Sequence, residues 1–263
     1  MPTISSEPHQ NRDVAQSFGA VAKEYDRHRP SYPDALIEAV VAAAPGRDFL
    51  DVGCGTGISS RQFQAAGCAV LGVDVDERMV ALARAQGLTA EVSAFESWDA
   101  GGRTFDAVVA GQTWHWVDPA AGAVKARSVL RPGGLIALFW NVFQPPAALA
   151  EASAAVYRRV VPQLPMMHRP MSALQIYDGM FGAAEEGIRA AGGFIEPQRW
   201  RFDWERTYTR DEWLAVVPTQ GGHSRLDPSA LDEVLTEIGA AVDAMGGSFV
   251  AQYAAVAVTA SAP

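Results

Sequence analysis

The stretch Leu50-Asp51-Val52-Gly53-Cys54-Gly55-Thr56-Gly57 constrains this chain more than any other, because an apolar strand ending in an acid runs into three glycines at alternate positions. A strand that enters a glycine turn and then a helix lets ligand atoms approach backbone that a side chain would otherwise block. It also aims the free amides of the helix start at that ligand. A second acid, Asp74, lies 17 residues beyond Gly57 and ends Ala69-Val70-Leu71-Gly72-Val73, a second strand. The 21 residues from Gly53 to Asp74 suit a strand-helix-strand unit whose acid meets ribose hydroxyls. A dinucleotide fingerprint would carry a third glycine where this chain has Ile58, so a nicotinamide-dependent oxidoreductase is the disfavoured reading of the same unit.

Further elements follow in order. Phe105 to Ala110 reads as a fourth strand, and the turn Arg131-Pro132-Gly133-Gly134 leads into a fifth, Leu135 to Trp140. The acid-x-G-x-G-x-G motif with these elements resembles the class I S-adenosylmethionine (AdoMet) methyltransferases. Phe18, Tyr25, Arg29-Pro30-x-Tyr32-Pro33 and Gly111-Gln112-Thr113-Trp114-His115-Trp116 look most like the small-molecule branch that includes trans-aconitate methyltransferases. The resemblance covers residues 18–141 and is loose beyond them, where substrate identity resides. It implies a doubly wound, Rossmann-like α/β fold with a seven-stranded sheet, mostly parallel with an antiparallel last strand, plus a helical lid.

The resemblance also implies AdoMet as cofactor, held by Tyr25, Arg29, Asp51, Gly53, Cys54, Gly55, Gly57, Asp74, Val75, Met79, Ala94, Phe95, Glu96, Gly111 and Gln112. Asp51 holds the loop or the cofactor's amino group. Asp74 takes the ribose, with Asp76 as the more exposed second choice. Met79 is either core or one wall of the adenine slot, where a thioether suits the flat purine. Phe95 stands where the family places an adenine wall and Glu96 where it places a polar group near the exocyclic amine. Arg29 is either a surface residue before a proline turn or the partner of the methionine carboxylate.

His115 follows the fourth strand, at the sheet edge where doubly wound folds bind ligands, and is the catalytic candidate. It serves as general base to a hydroxyl or amine, or only positions a carboxylate that is already ionised. Trp114, Trp116, Trp140, Met167, His168 and Phe181 are the substrate-side candidates. Met166, Met171 and Tyr177 belong to the same adaptable apolar segment. Arg169, His168, His223 and Arg225 are possible contacts to an acidic acceptor. The five histidines include no i, i+4 pair, and no metal is expected.

Residues 1–13 read as a mobile tail and 14–263 as one domain, in which the proline-punctuated 141–178 and the later 205–246 are lid or substrate-facing elements. Predicted helices cover residues 14–27, 34–44, 58–66, 77–86, 119–130, 147–161, 179–191, 208–217 and 228–245. The remaining strands fall at 48–52, 89–93, 194–204 and 248–260. A net charge of −9 gives no electrostatic footprint for nucleic acid. Two cysteines outside any framework, with neither a leader pattern nor a membrane-length apolar run, point to a cytoplasmic protein. The expected function is methyl transfer to a small molecule, most simply on oxygen. Nitrogen or carbon acceptors and an AdoMet-binding protein without catalysis are the alternatives, and the oligomeric state is open.

Overall fold

A computed structural model describes residues 8–10, 12–162 and 173–263. Seven strands form one sheet in the order β3-β2-β1-β4-β5-β7-β6. They are β1 (Asp48–Val52), β2 (Ala69–Asp74), β3 (Thr89–Val92), β4 (Phe105–Gly111), β5 (Leu130–Gln144), β6 (Gln198–Thr209) and β7 (Ser248–Ser261). The first five pair in parallel, and β7 lies antiparallel to both β5 and β6, as the sequence predicts.

Alternation along the strands divides the core between two faces. Phe49, Ala107, Val109, Leu135, Ala137 and Phe139 pack with helices α3 (Asp34–Ala43), α4 (Ile58–Ala65) and α5 (Glu77–Ala85). Leu50, Val52, Val108, Ala110, Ile136, Leu138 and Trp140 pack with α6 (Pro119–Val129) and α8 (Ala173–Ala191). A third cluster joins α7 (Ala147–Val160), α9 (Arg210–Val216) and α10 (Pro228–Ala244) around Tyr208, Phe249 and Tyr253.

Several boundaries move, each for a physical reason. The chain before Tyr32 is not one helix over 14–27 but α1 (Arg12–Ser17), a tight turn Phe18–Val21 and α2 (Ala22–His28). The turn lets Gly19 pass so close to Asp76 that a Cβ there would fall 2.1 Å from its Oδ2. Order also begins before Val14, since Pro8–Gln10 forms a single helical turn against Trp114–Trp116; residues 1–7 and 11 of the expected tail lie outside the described residues. The Pro132-Gly133-Gly134 turn is absorbed as an irregularity inside β5, where Phe105 pairs Leu130 and Ala107 pairs Leu135.

β5 then continues to Gln144, because β7 supplies hydrogen-bonding partners up to Gln252. Residues 141–144, expected in the lid, are therefore sheet. β6 spans 198–209 rather than 194–204, and its end is set by Thr209, which forms a capping box with Glu212 at the start of α9. Residues 205–209 of the second expected lid element are accordingly sheet as well. α8 starts at Ala173, earlier than predicted, and packs on α6 and β5.

Candidate active site

Strand order reverses between β1 and β4, and the loops leaving their carboxyl ends meet there. Gly53, Gly55 and Gly57 all hold left-handed φ, at 65°, 54° and 88°. The Gly53 and Cys54 amides both donate to the Val73 carbonyl, at 2.7 and 3.2 Å, which binds the loop to β2. A Cβ on Gly53 would collide with Thr113 at 2.6 Å, whereas one on Gly55 would meet no protein atom within 4 Å. The first glycine is thus required by the fold, and the second faces open space. Gly57 precedes α4 with no side-chain cap, leaving the amides of the helix start free of one.

Two carboxylates flank this loop. Asp51 is wholly buried; its Oδ2 accepts the hydroxyls of Ser59 and Ser60 at 2.9 and 2.5 Å, while its buried Oδ1 has no protein partner. Burial pushes its carboxyl up to about 6, against the pull of the two serines. Asp74 is half-buried, and its two oxygens accept the amides of Gly55 and Asp76 at 2.8 and 2.9 Å. Burial raises its carboxyl above the usual range, although both amides favour the charged form.

The expected order of exposure between Asp74 and Asp76 is reversed. Asp76 is buried, caps α5 through the Arg78 amide and pairs with the Arg78 guanidinium at 2.7 Å. It is spent on structure, and Asp74 is the acid at the crevice. Val75 is half-buried beside it. Met79 in the first turn of α5 and Phe95 beyond β3 are both buried, with Ala94 half-buried next to Phe95. Glu96 accepts the Asp118 amide at 3.1 Å and so anchors the start of α6. Cys54 is buried beneath the loop, where a Cβ on Gly72 would fall 2.6 Å from its sulfur.

Arg29 packs over the Tyr25 ring at 5.2 Å, and tyrosines rather than carboxylates hold its guanidinium; none of the described carboxylates pairs with it. Burial works against its charge, while Tyr25, Tyr177 and Tyr32 favour it. Gln62 clamps the Arg29–Pro33 turn by exchanging two hydrogen bonds with the Tyr32 backbone, at 3.0 and 2.7 Å. The Tyr32 hydroxyl lies under Gly111, where a Cβ would come within 2.6 Å. Gln112 is the one non-glycine with left-handed φ among the described residues, at 58°; its side chain donates to the Asn141 carbonyl at 3.0 Å.

Beyond Gln112, Thr113 donates to the Val52 carbonyl at 2.8 Å and ties the two loops together. Trp114 is buried against Phe95 at 6.2 Å between ring centres, and half-buried Trp116 meets Phe18 at 6.4 Å. His115 packs against Trp116 with ring centres 4.7 Å apart and accepts the indole N–H of fully buried Trp140 at 3.3 Å. Phe181 from α8 covers Trp140 at 5.4 Å. His223 is buried and shares a 2.6 Å hydrogen bond with the Tyr157 hydroxyl. Met166, Met167, His168, Arg169 and Met171 lie outside the described residues.

Sequence reasoning missed Ser59, Ser60, Thr113 and Asn141. Paired serines at the start of a helix facing a buried strand acid were a readable signal for the first two; Thr113 stands inside the Gly111–Trp116 motif, and nothing in the sequence marks Asn141. No group of side chains that could hold a metal ion occurs among the described residues, and no described helix is long and apolar enough to cross a membrane.

A seven-stranded sheet of this order, with a glycine loop at the β1 edge and an acid at the β2 edge, defines the class I AdoMet-dependent methyltransferases. The chain shares that fold. Residues 50–138 match the family model described as a methyltransferase domain. An uncharacterized methyltransferase of Mycobacterium tuberculosis is 39% identical over 132 residues, covering 49% of this chain and 54% of that protein. The malonyl-[acyl-carrier protein] O-methyltransferase of Enterobacter lignolyticus is 33% identical over 139 residues, covering 49% and 54%. The chain thus spans about half the length of the curated relatives it matches. In fold it is similar to Haemonchus contortus phosphoethanolamine N-methyltransferase 2 in complex with S-adenosyl-L-methionine, with TM-score 0.53, 16% identity and 99% of this chain and 60% of that one covered.

Proposed function

We propose that this protein transfers the methyl group of AdoMet to an oxygen of a small-molecule acceptor. The carrying observation is the cradle at the β1 and β2 edges, where a buried carboxylate oxygen without a partner, an open glycine face and a pinned second carboxylate converge. Those features fit the cofactor. Asp51 Oδ1 is an acceptor for the amino group, Asp74 for the ribose hydroxyls, and Arg29 offers a guanidinium to the methionine carboxylate. Met79 and Phe95 supply apolar faces for adenine, and Glu96 is the polar group next to Phe95 in the chain.

When bound, AdoMet supplies a methyl group on a sulfonium, an already good leaving group. The chain's part is then to position the acceptor and exclude water, for which the aromatic edge of Trp114, Trp116, Trp140 and Phe181 is suited. Oxygen as the acceptor atom is supported by a relative named as an O-methyltransferase. The trans-aconitate-like branch rests on the sequence motifs alone. Unpaired, buried Cys54 and Cys68 support a reducing, cytoplasmic setting, and the net charge of −9 speaks against a nucleic-acid substrate.

Calorimetry with AdoMet and its demethylated product tests the cofactor half, with micromolar affinity expected, about −8 kcal/mol. Asp74→Ala removes a charged acceptor of the ribose and should weaken binding roughly 10-fold or more. Label transfer from methyl-labelled AdoMet to a metabolite extract tests the acceptor half. Tight cofactor binding with no labelled product in any extract would instead support a binding protein without catalysis.

A further inference from the structure

His115 is held from behind by the core. Trp140 is fully buried at the end of the β4–β5 pairing, its ring fixed by Phe181, and its indole N–H points into His115 Nδ1 at 3.3 Å. An indole N–H can only donate, so Nδ1 must be the unprotonated nitrogen of the ring. A neutral imidazole then carries its single proton on Nε2. Burial lowers the ring to about 4, which keeps it neutral at pH 7. His115 therefore has no basic atom to offer: Nδ1 is occupied by Trp140, and Nε2 already bears the proton. What Nε2 offers is a donor, with no partner among the described residues.

We propose that His115 is a fixed hydrogen-bond donor to the methyl acceptor rather than a base, that Trp140 is the positioning residue that sets its tautomer, and that the acceptor is a carboxylate. The proposal rests on the methyltransferase reading above and narrows it. A hydroxyl acceptor must give up a proton, and among the described residues no free base stands beside His115 to take it. A carboxylate is ionised at pH 7 and needs none. A protonated amine has no lone pair to turn toward an N–H. One carboxylate oxygen accepts the Nε2 proton as a hydrogen bond, and a lone pair of the other forms the new C–O bond. The electron pair of the broken S–CH3 bond stays on sulfur, the positive and negative charges cancel, and no proton moves. The product is a methyl ester.

The first experiment needs no turnover. Nitrogen-15 spectra of the histidine imidazoles, with His115 assigned by its loss in His115→Gln, should show an Nε2–H tautomer that does not titrate between pH 5 and 9. In Trp140→Phe, with folding checked by thermal melting, the tautomer should become mixed. An Nδ1–H tautomer in the wild type, or titration near the usual histidine value, overturns the donor assignment. If Trp140→Phe fails to fold, the wild-type spectra still decide.

The second experiment uses methyl-labelled AdoMet and a cell metabolite extract, followed by mild alkali. A methyl ester releases its label as methanol, and a methyl ether or amine does not. Base-stable label overturns the carboxylate. His115→Gln keeps a side-chain donor and should retain activity within about fivefold, while His115→Ala should lose about tenfold or more, the size of one hydrogen bond to a charged group. Equal loss in both variants, with a wild-type rate that climbs through an ionisation near pH 6.5, would restore the base role. No labelled product at all would count against the methyltransferase reading, with the donor assignment still judged on the spectra.

Discussion

Asp51→Asn tests the logic of the cradle, because it removes a charge while keeping a shape. The carboxyl is wholly buried, its Oδ2 is held by Ser59 and Ser60, and its Oδ1 is left without a protein partner. Burial raises it from 3.8 to about 6, and a shift of that size corresponds to about 3 kcal/mol. The folded protein binds this proton more tightly than the unfolded chain does, so the group's contribution is intact below pH 4 and is lost as pH rises through 6. The ligand-free Asp51→Asn protein should therefore match the wild type near pH 4 and exceed it by about 3 kcal/mol at pH 8, roughly 6–12 °C in Tm for a chain of this size. Urea unfolding at pH 4, 6 and 8 measures the difference. AdoMet should reverse the ranking, since its amino group compensates the buried carboxylate and stabilises only the wild type in this way. A stability difference independent of pH, or a variant weaker than wild type at pH 8, would refute an uncompensated carboxylate awaiting a cation.

Gly55→Val should abolish AdoMet binding by calorimetry yet leave a folded protein. The new side chain meets no protein atom within 4 Å, so its structural cost is confined to left-handed strain of about 1–3 kcal/mol; retained binding would move the ligand away from this face. Residues 14–33 and helix α7 should exchange amide hydrogens more slowly with S-adenosylhomocysteine bound than without, because a cap over the crevice must open for exchange of ligand. Equal protection in both states would remove the lid role.

The first half of the sheet was legible because its signals are local. The glycine loop, Asp74 and the strand runs are each read within about ten residues, and the β1 to β4 boundaries fall within a residue of expectation. Failures came where a distant partner decided. β5 overran its predicted end because β7, more than 100 residues later, pairs with it to Gln144. Asp76 looked free because the segment that buries it, around Gly19, lies far back in the sequence. His115 was singled out by position, but its contact with Trp140 was not legible, since Trp140 sits 25 residues on in another strand. Among paired acids or polar rings, the partner settles the role, and the partner is a tertiary fact.

β5 runs on past the end of the family match. The family match ends at residue 138, and β4 makes its last pairing with Phe139. From there β5 runs five residues further, to Gln144, about 17 Å of strand beyond the cofactor crevice. Antiparallel β7 and then β6 extend with it, carrying Tyr253, Trp204 and Tyr208 outward. Phe143 and Tyr253 on this extension pack at a tilt, 5.4 Å between ring centres, Trp204 lies flat on Tyr253 at 4.4 Å, and the hydroxyls of Tyr208 and Tyr253 meet at 2.9 Å. On that platform rests the cluster of α7, α9 and α10. Asn141 joins the two regions, because its carbonyl takes Gln112, its amide donates to the Ser31 carbonyl and its oxygen accepts the Trp204 indole. One buried amide thus ties the aromatic platform to the Ser31 turn and to Gln112 at the crevice.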